Sequence, residues 1–230
     1  MLLRIPSVLS ADQLRFVRAR LDAAGDAWVD GRATAGHQGA QVKRNLQIAE
    51  DSAVARDLGG IVLASLERNP LFLSAALPAR IYPPMFNRYE SAEGMHFGTH
   101  VDGALRLIPG TGIKIRTDIS ATLFISPPDE YDGGELQVDD TYGSHGVKLA
   151  AGDLVLYPAT SLHRVTPVTR GARIASLFWV QSLVRDDAQR SMLFDLDMAV
   201  VQLTQTVPSH GALVALTGCY HNLLRMWSEP

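Results

Sequence analysis

Apolar side chains recur at helical spacing near the start of the chain. Leu14, Val17 and Leu21 lie three and four residues apart, which is the spacing of one face of an α-helix. Ser10 comes just before this pattern and Gln13 follows three residues later, as in a capping box, where the two side chains satisfy free backbone groups. We therefore predict a helix that begins after Ser10.

A second helical pattern covers residues 52–66. It ends before Asn69 and Pro70, because the residue that precedes a proline avoids helical angles. We expect another short helical turn before Pro78. Between the first two helices, residues 31–39 are small or polar and contain two glycines close together, so we predict a mobile loop there.

The hydrophobic pattern changes near residue 79 to short runs separated by turns rich in Gly and Asp. Such runs are typical of strands. Because no helix separates them, the pattern excludes a parallel βαβ sheet and favours an antiparallel sandwich or barrel. A double-sheet jelly roll fits best, although the strand count also allows an immunoglobulin-like sandwich. The eight predicted strands are 79–89, 95–102, 115–126, 135–138, 146–149, 153–157, 163–167 and 172–183.

Helical spacing returns after Arg185 and is broken once, at residues 208–211. This indicates a C-terminal helical hairpin, whose apolar face packs on the sandwich or on a second copy of the chain in a homo-oligomer. The predicted fold is α+β, with an antiparallel double-stranded β-helix, or jelly-roll, core. We divide the chain into an N-terminal helical segment (1–78), the jelly-roll domain (79–183) and a C-terminal helical extension (184–230).

The composition narrows the class of protein. The chain has 230 residues, of which 47% are hydrophobic, and a net charge of -3, so it can bury a full core and lacks the basic footprint of a nucleic-acid-binding protein. Its single cysteine, Cys219, suits a reducing compartment. We find neither a signal-peptide core nor an apolar run long enough to span a membrane, and we expect a cytoplasmic protein.

His100 and Asp102 are the first candidates for chemistry. Residues two apart in a strand point to the same face, so this imidazole and this carboxylate can converge on one cation. Two imidazoles and one carboxylate form the facial triad of non-heme Fe(II) oxygenases, and His163 can supply the third ligand. Such a spacing occurs often by chance, so the argument depends on the strand pattern around it.

Arg173 follows His163 by ten residues. A short turn between the two strands predicts an antiparallel hairpin in which His163 and Arg173 lie opposite each other. A guanidinium in the same pocket as a metal would bind a carboxylate through two parallel hydrogen bonds. His96 shares a strand face with His100 and is a rival candidate, more readily as a pocket or substrate residue than as a primary ligand, but the sequence leaves its role open. Phosphate-loop, dinucleotide and serine-hydrolase motifs are absent from the sequence.

These residues, taken with their neighbours, resemble the PKHD-type hydroxylases, which belong to the prolyl-4-hydroxylase-like Fe(II)/2-oxoglutarate dioxygenases. The similarity extends over essentially the whole chain. The segments that carry it are Phe86-Asn87-Arg88-Tyr89, His96-Phe97-Gly98-Thr99-His100-Val101-Asp102-Gly103-Ala104, His163-Arg164-Val165-Thr166-Pro167-Val168, Gly171-Ala172-Arg173 and Gln181-Ser182-Leu183-Val184-Arg185-Asp186, with Val42-Lys43-Arg44-Asn45-Leu46 and Leu216-Thr217-Gly218-Cys219-Tyr220-His221-Asn222-Leu223-Leu224 near the two ends.

The resemblance implies roles for several residues. His100, Asp102 and His163 would be iron ligands, and Arg173 would bind 2-oxoglutarate, with O2 as the second co-substrate and ascorbate as a reductant. Many relatives have a tyrosine three residues before the first ligand histidine, where this chain has Phe97. We expect its polar contact to be omitted or supplied by Tyr89 or Asn87.

Three functions remain open at this point. The leading hypothesis is a dioxygenase that hydroxylates a peptide side chain or a small molecule, with iron uptake as one context, and releases succinate and CO2. A jelly-roll isomerase or hydrolase could use the same triad to hold Zn or Mn. A non-catalytic sensor could bind metal and 2-oxoglutarate and signal through the terminal helices.

Overall fold

The helices lie at the two ends of the chain. The computed structural model describes residues 1–229, apart from the side chains of His37 and Gln38. The α-helices in this range are α1 (Ala11–Asp22), α2 (His37–Val42), α3 (Ala53–Leu66), α4 (Pro70–Ala76), α5 (Asp187–Thr206) and α6 (Ala212–Trp227).

The N-terminal helices begin where the sequence predicts. The Gln13 backbone N–H donates to Ser10 Oγ at 3.2 Å, and the Ser10 N–H donates to Gln13 Oε1 at 2.9 Å, so the capping box is confirmed. The side chain of Ser52 caps α3. The turn expected before Pro78 is α4, which is capped by Asn69 and has a proline in its first turn.

Strands occupy most of the chain between α4 and α5, and four further strands precede α3. All the pairings between them are antiparallel. The strands are β1 (Leu3–Ile5), β2 (Trp28–Asp30), β3 (Lys43–Arg44), β4 (Leu46–Ile48), β5 (Pro78–Ile81), β6 (Met85–Glu90), β7 (His96–His100), β8 (Leu105–Leu107), β9 (Lys114–Arg116), β10 (Ile119–Phe124), β11 (Asp132–Gly133), β12 (Leu136–Asp140), β13 (Gly143–Val147), β14 (Leu154–Pro158), β15 (His163–Val165), β16 (Val168–Arg170) and β17 (Ala172–Ser182).

Two sheets and two ribbons result from these pairings. The larger sheet has eight strands in the order β1-β14-β10-β17-β6-β4-β2, with β5 added beside β17. The smaller sheet has the order β13-β12-β15-β7-β3. The ribbons are β8 with β9 and β11 with β16. Both sheets therefore take edge strands from the first 48 residues, which the sequence pattern had assigned to helices and a loop.

The larger sheet packs against the N-terminal helices on one face. Its apolar side chains, such as Phe86, Leu123 and Phe178, form one core cluster with Leu21 of α1 and Leu58 of α3. Burying this apolar area provides the main stabilisation of the layer. The helices thus cover the outer face of the sheet, as the amphipathic patterns of α1 and α3 predict.

The two sheets pack face to face on the other side. Tyr89, Phe124 and Val155 of the larger sheet share a second cluster with Leu136 and Val165 of the smaller sheet. This confirms the predicted α+β fold with a double-sheet antiparallel core. A cavity remains between the sheets at one end of the sandwich, and the candidate residues lie around it.

The C-terminal helices form the predicted hairpin. Tyr220, Leu223 and Trp227 of α6 pack around Leu193 of α5 and Val184, which follows the last strand. The hairpin therefore buries part of its apolar surface within the same chain. No helix within residues 1–229 has the length and apolar character needed to cross a lipid bilayer.

The structure corrects the predicted secondary structure at several points. The segment 79–89 is two strands, because Pro83 and Pro84 lack the backbone N–H of a continuous ladder. The segment 115–126 is also interrupted, between β9 and β10. Residues 31–39 contain helical turns, namely a 3-10 helix (Gly31–Thr34) and the start of α2, where the sequence predicted a loop.

The hairpin predicted between His163 and Arg173 does not form. The strand of His163, β15, pairs with β12 and β7, whereas β17, which begins beside Arg173, pairs with β5, β6 and β10. The chain between them forms β16, which pairs with β11. The two residues therefore lie on opposite sheets.

Gly98 of β7 lies against α2, so a substitution at this glycine tests how closely the helix packs on the smaller sheet. A Cβ added at Gly98 would lie 2.8 Å from the Cβ of Val42 in α2, which is too close for two carbon atoms. We expect Gly98→Ala to lower the free energy of unfolding by about 1–3 kcal/mol through overpacking, as measured by urea denaturation.

Gly60→Ala is the matched control. Gly60 is exposed in α3 and an added Cβ would meet nothing within 4 Å. This substitution should raise the free energy of unfolding by up to about 1 kcal/mol, because alanine favours the helix. Equal effects of the two substitutions would contradict the close approach of α2.

Candidate active site

The two candidate ligand histidines face each other across neighbouring strands. His100 at the end of β7 is the direct antiparallel partner of His163 in β15, and their ring centroids are 4.2 Å apart. Asp102 lies two residues beyond the end of β7, so the prediction that it belongs to the strand was wrong. The irregular segment after His100 nevertheless places its carboxylate near the imidazoles.

The three side chains converge on one point. One ligand atom from each of His100, Asp102 and His163 lies within 4.8 Å of the others, and His163 Nε2 is 3.6 Å from Asp102 Oδ2. Two imidazoles and one carboxylate arranged in this way can bind three adjacent positions of a metal ion and leave the opposite face open.

Backbone carbonyls determine which nitrogen of each imidazole faces the centre. Nδ1 of His100 is 2.8 Å from the carbonyl oxygen of Gly98, and Nδ1 of His163 is 3.0 Å from that of Ser161. A carbonyl oxygen can only accept, so both Nδ1 atoms carry a proton and donate it. Both Nε2 atoms consequently keep a lone pair for a metal.

The surroundings of His100 keep its imidazole neutral. Burial, with a further contribution from His163, lowers the pKa of His100 to about 4, because both disfavour the charged form. Phe97 stacks on the His100 ring with centroids 3.6 Å apart and planes at 16°. The phenyl ring thus fixes the orientation of the imidazole without offering it a hydrogen bond.

Ser120 supports the carboxylate of the trio. Its Oγ donates to Asp102 Oδ2 at 2.6 Å, so the serine hydroxyl orients the carboxylate. Ser120 was not among the site residues predicted from the sequence. A signal was available, because Ser120 and Thr122 alternate with apolar residues in a strand that is wholly buried, and a polar face in such a strand indicates a lined cavity.

Arg173 approaches the same cavity from the larger sheet. It is only 2% exposed, its guanidinium lies 5.4 Å from the ring centroids of Tyr89 and Phe124, and its Nε has no hydrogen-bond partner. Among the described residues it forms no ion pair. A buried cation in this state requires an anionic partner.

The cavity joins the metal-capable trio to Arg173. It measures about 650 Å³, within the range of small-molecule pockets, and is also lined by Asn87 and Tyr89. Both side chains are almost fully buried. Burial raises the pKa of Tyr89 to about 12, so its phenol stays protonated at neutral pH.

His96, whose role the sequence left open, lies outside this pocket. It is not among the residues around the cavity, and its Nδ1 is 2.9 Å from the carbonyl oxygen of Gly94. His96 is in register with Arg44 of β3, on the side of β7 away from β15. A register shift in the pairing of β7 with β15 places both Phe97 and His100 at the cavity, so the regular alternation that would bring His96 to the side of His100 is broken.

Comparisons with known proteins agree with this geometry. Residues 84–181 match the model of the 2OG-Fe(II) oxygenase superfamily, and residues 187–229 match that of the PKHD-type hydroxylase C-terminal domain. The chain is 66% identical to a PKHD-type hydroxylase of Paraburkholderia xenovorans and 58% identical to one of Bordetella pertussis. In both cases 100% of each chain is covered.

Solved structures share the fold at low sequence identity. A Pseudomonas putida prolyl-4-hydroxylase is 21% identical, with a TM-score of 0.52 over 79% of this chain and 92% of that chain. A Trichoplax adhaerens prolyl hydroxylase is 15% identical, with a TM-score of 0.56 over 83% and 86%. From the family models and the full-length relatives, this chain belongs to the PKHD-type hydroxylases and is an iron- and 2-oxoglutarate-dependent oxygenase.

Proposed function

We propose that His100, Asp102 and His163 hold the iron, that Arg173 holds the distal carboxylate of 2-oxoglutarate, and that the rest of the cavity takes a substrate for hydroxylation. One observation carries this assignment. A buried guanidinium without an anionic partner opens into the same cavity as three convergent metal-ligand atoms.

The surroundings of Arg173 suit a carboxylate. The planar fork can donate two parallel hydrogen bonds to a carboxylate, and the flanking rings of Tyr89 and Phe124 exclude water from the pair. Gly134 gives the side chain room, since a Cβ there would lie 3.1 Å from Arg173 Cδ. A dicarboxylate bound here would place its other end toward the trio.

The trio has the donor set of an iron site. The neutral imidazoles supply two nitrogen atoms, and the single charge of Asp102 partly neutralises a divalent ion. When bound, the iron and 2-oxoglutarate supply an oxidation in which one atom of O2 enters the new hydroxyl group and the other enters succinate, with loss of CO2. The chain's own share is to keep one face open and to aim a substrate C–H bond at it.

Asn87 and Tyr89 belong to the proposed co-substrate pocket. Tyr89 is the direct antiparallel partner of Arg173, and both Asn87 and Tyr89 line the cavity. Their polar groups would contact 2-oxoglutarate where Phe97 offers none. The proposal also includes ascorbate as the reductant, a cytoplasmic location and an oxygenase unit at residues 79–183.

The substrate is a small molecule or a peptide side chain. The Trichoplax adhaerens neighbour was solved with a peptide fragment, and another neighbour, HygX of Streptomyces hygroscopicus, was solved with hygromycin B. A screen for succinate production with peptide and metabolite pools tests the proposed function. Oxygen uptake without succinate would oppose it.

The metal assignment predicts the effect of Asp102→Ala. This substitution removes the only carboxylate of the trio, so we expect the affinity for Fe(II) or Ni(II), measured by calorimetry under anaerobic conditions, to fall by more than about 100-fold. His145→Ala is the control, because His145 pairs with Asp140 on the smaller sheet and should leave metal affinity unchanged. Equal losses would disprove the assignment.

The co-substrate assignment predicts the effect of Arg173→Met. Losing a charge-assisted contact should raise the Kd of 2-oxoglutarate by about 10- to 100-fold, while metal affinity stays unchanged. Binding is read from the visible charge-transfer band of the anaerobic Fe(II) complex. The control is Arg170→Met, which removes an exposed arginine paired with Asp132. Simultaneous loss of metal and 2-oxoglutarate would show that Arg173 is structural.

A further inference from the structure

A second buried cation, Lys43, faces the cavity. It belongs to the smaller sheet, whereas Arg173 belongs to the larger sheet. Lys43 of β3 is 4% exposed and lines the cavity. Its Nζ donates to Thr34 Oγ1 at 3.2 Å and to Gln47 Oε1 at 3.3 Å, and both acceptors are neutral. A buried ammonium with only neutral partners is costly unless a ligand completes its environment.

Arg106 lies beside Lys43 on the same wall. Its guanidinium carbon is 4.2 Å from the ring centroid of Trp179 and 5.2 Å from that of Tyr82, so two aromatic rings hold it in place. Its Nη1 donates to the backbone carbonyl of Thr34 at 3.5 Å. Thr34 therefore contacts both cations, Lys43 through its hydroxyl and Arg106 through its backbone carbonyl. The two positive charges consequently lie near each other on this wall of the cavity.

The nearby carboxylates offset these two charges only in part. Glu50, Asp30 and Asp102 raise the pKa of Lys43, but by less than burial and Arg106 lower it, and the direct contacts of all three are with other groups. Glu50 accepts the hydroxyl of Tyr82, Asp30 pairs with Arg32, and Asp102 accepts from Ser120. Within the described part of the chain, neither Lys43 nor Arg106 forms an ion pair.

Two like charges on one wall therefore repel each other. Burial, followed by the charge of Arg106, lowers the pKa of Lys43 to about 8. Lys43 is consequently still mostly charged at neutral pH, and an anion between the two side chains would relieve the repulsion.

The pair lies on the metal side of the cavity. Lys43 Nζ is 5.4 Å from the ring centroid of Phe97, and Phe97 stacks directly on His100. Arg173, in contrast, is enclosed by Tyr89 and Phe124 between the sheets. A ligand held by Lys43 would thus lie beside the metal-capable trio without using the proposed 2-oxoglutarate contact.

We propose that Lys43 and Arg106 bind a carboxylate group of the substrate, which makes the substrate a compact organic acid. The inference rests on the proposed function, because it assigns this part of the cavity to substrate. An acid group anchored here would hold a C–H bond a few bonds away over the iron face. Because Lys43 is buried, the carboxylate must lie at one end of the substrate molecule in order to reach the ammonium group.

The test uses trifluoroacetate as a carboxylate probe. Its 19F line width is followed during titration of protein that is loaded with Ni(II) and saturated with 2-oxoglutarate, so that the Arg173 contact is occupied and any binding of the probe at the metal is the same in every variant. We expect saturable binding to the unaltered chain. Lys43→Met and Arg106→Gln should each weaken it at least about 10-fold, the loss of one charge-assisted contact. Trifluoroethanol, the neutral counterpart, should not bind.

Lys114→Met is the matched control. Lys114 is exposed on β9, in the same ribbon as Arg106, and does not line the cavity, so its loss should leave probe binding unchanged. Melting temperature and 2-oxoglutarate affinity are measured for every variant. Lys43→Met should keep or raise the melting temperature, because it removes an uncompensated buried charge.

Two results would overturn the inference. One is the absence of saturable trifluoroacetate binding to the unaltered chain, and the other is equal binding to all three variants. If Lys43→Met or Arg106→Gln weakened 2-oxoglutarate as strongly as Arg173→Met, the pair would belong to the co-substrate site instead. Failure of the proposed function would appear separately, as unchanged 2-oxoglutarate affinity in Arg173→Met.

Discussion

The antiparallel pairing of β7 with β15 is the interaction on which the site depends. It sets His100 directly opposite His163, at the short separation of a cross-strand pair. The carbonyls of Gly98 and Ser161 then orient the two rings in the same way. A slip of this register by one residue would turn one imidazole to the other face of the sheet. The pair of nitrogen ligands therefore exists only in the observed register.

The cavity is lined by more positive than negative side chains. Arg173, Lys43 and Arg106 all face it, whereas Asp102 is its only acidic lining residue among those described. Placing three cations, two of them buried, around one carboxylate is unfavourable for the empty protein. The cost is offset when anions bind, so the chain trades folding stability for affinity toward acidic ligands.

Much of the fold follows from local signals in the sequence. The capping box of α1, the extent of α3 and the change of periodicity near residue 79 depend on neighbours a few positions away, and these predictions were confirmed. Strand pairing depends on distant segments. The predicted hairpin between His163 and Arg173 was wrong because the intervening chain forms β16 on a separate ribbon with β11. The shared cavity was still predicted correctly, because both residues face the space between the sheets.

Phe97 shows why a residue type at one position can depend on a distant segment. The sequence shows that a hydroxyl is absent there but not why. In the structure, a methyl group built at Gly39 of α2 would lie 3.5 Å from Phe97 Cζ, the atom that would carry the hydroxyl of a tyrosine. Gly39 has no such methyl group, so α2 passes close to this end of the ring while leaving it free of a side-chain contact from position 39. Lys43 also lies near Phe97, and its ammonium nitrogen is 5.4 Å from the centroid of the Phe97 ring. Where a tyrosine would offer a neutral hydroxyl beside the metal-capable trio, this chain thus has a phenyl ring with a buried ammonium over it, so the polar group nearest to that ring is a cation contributed by β3.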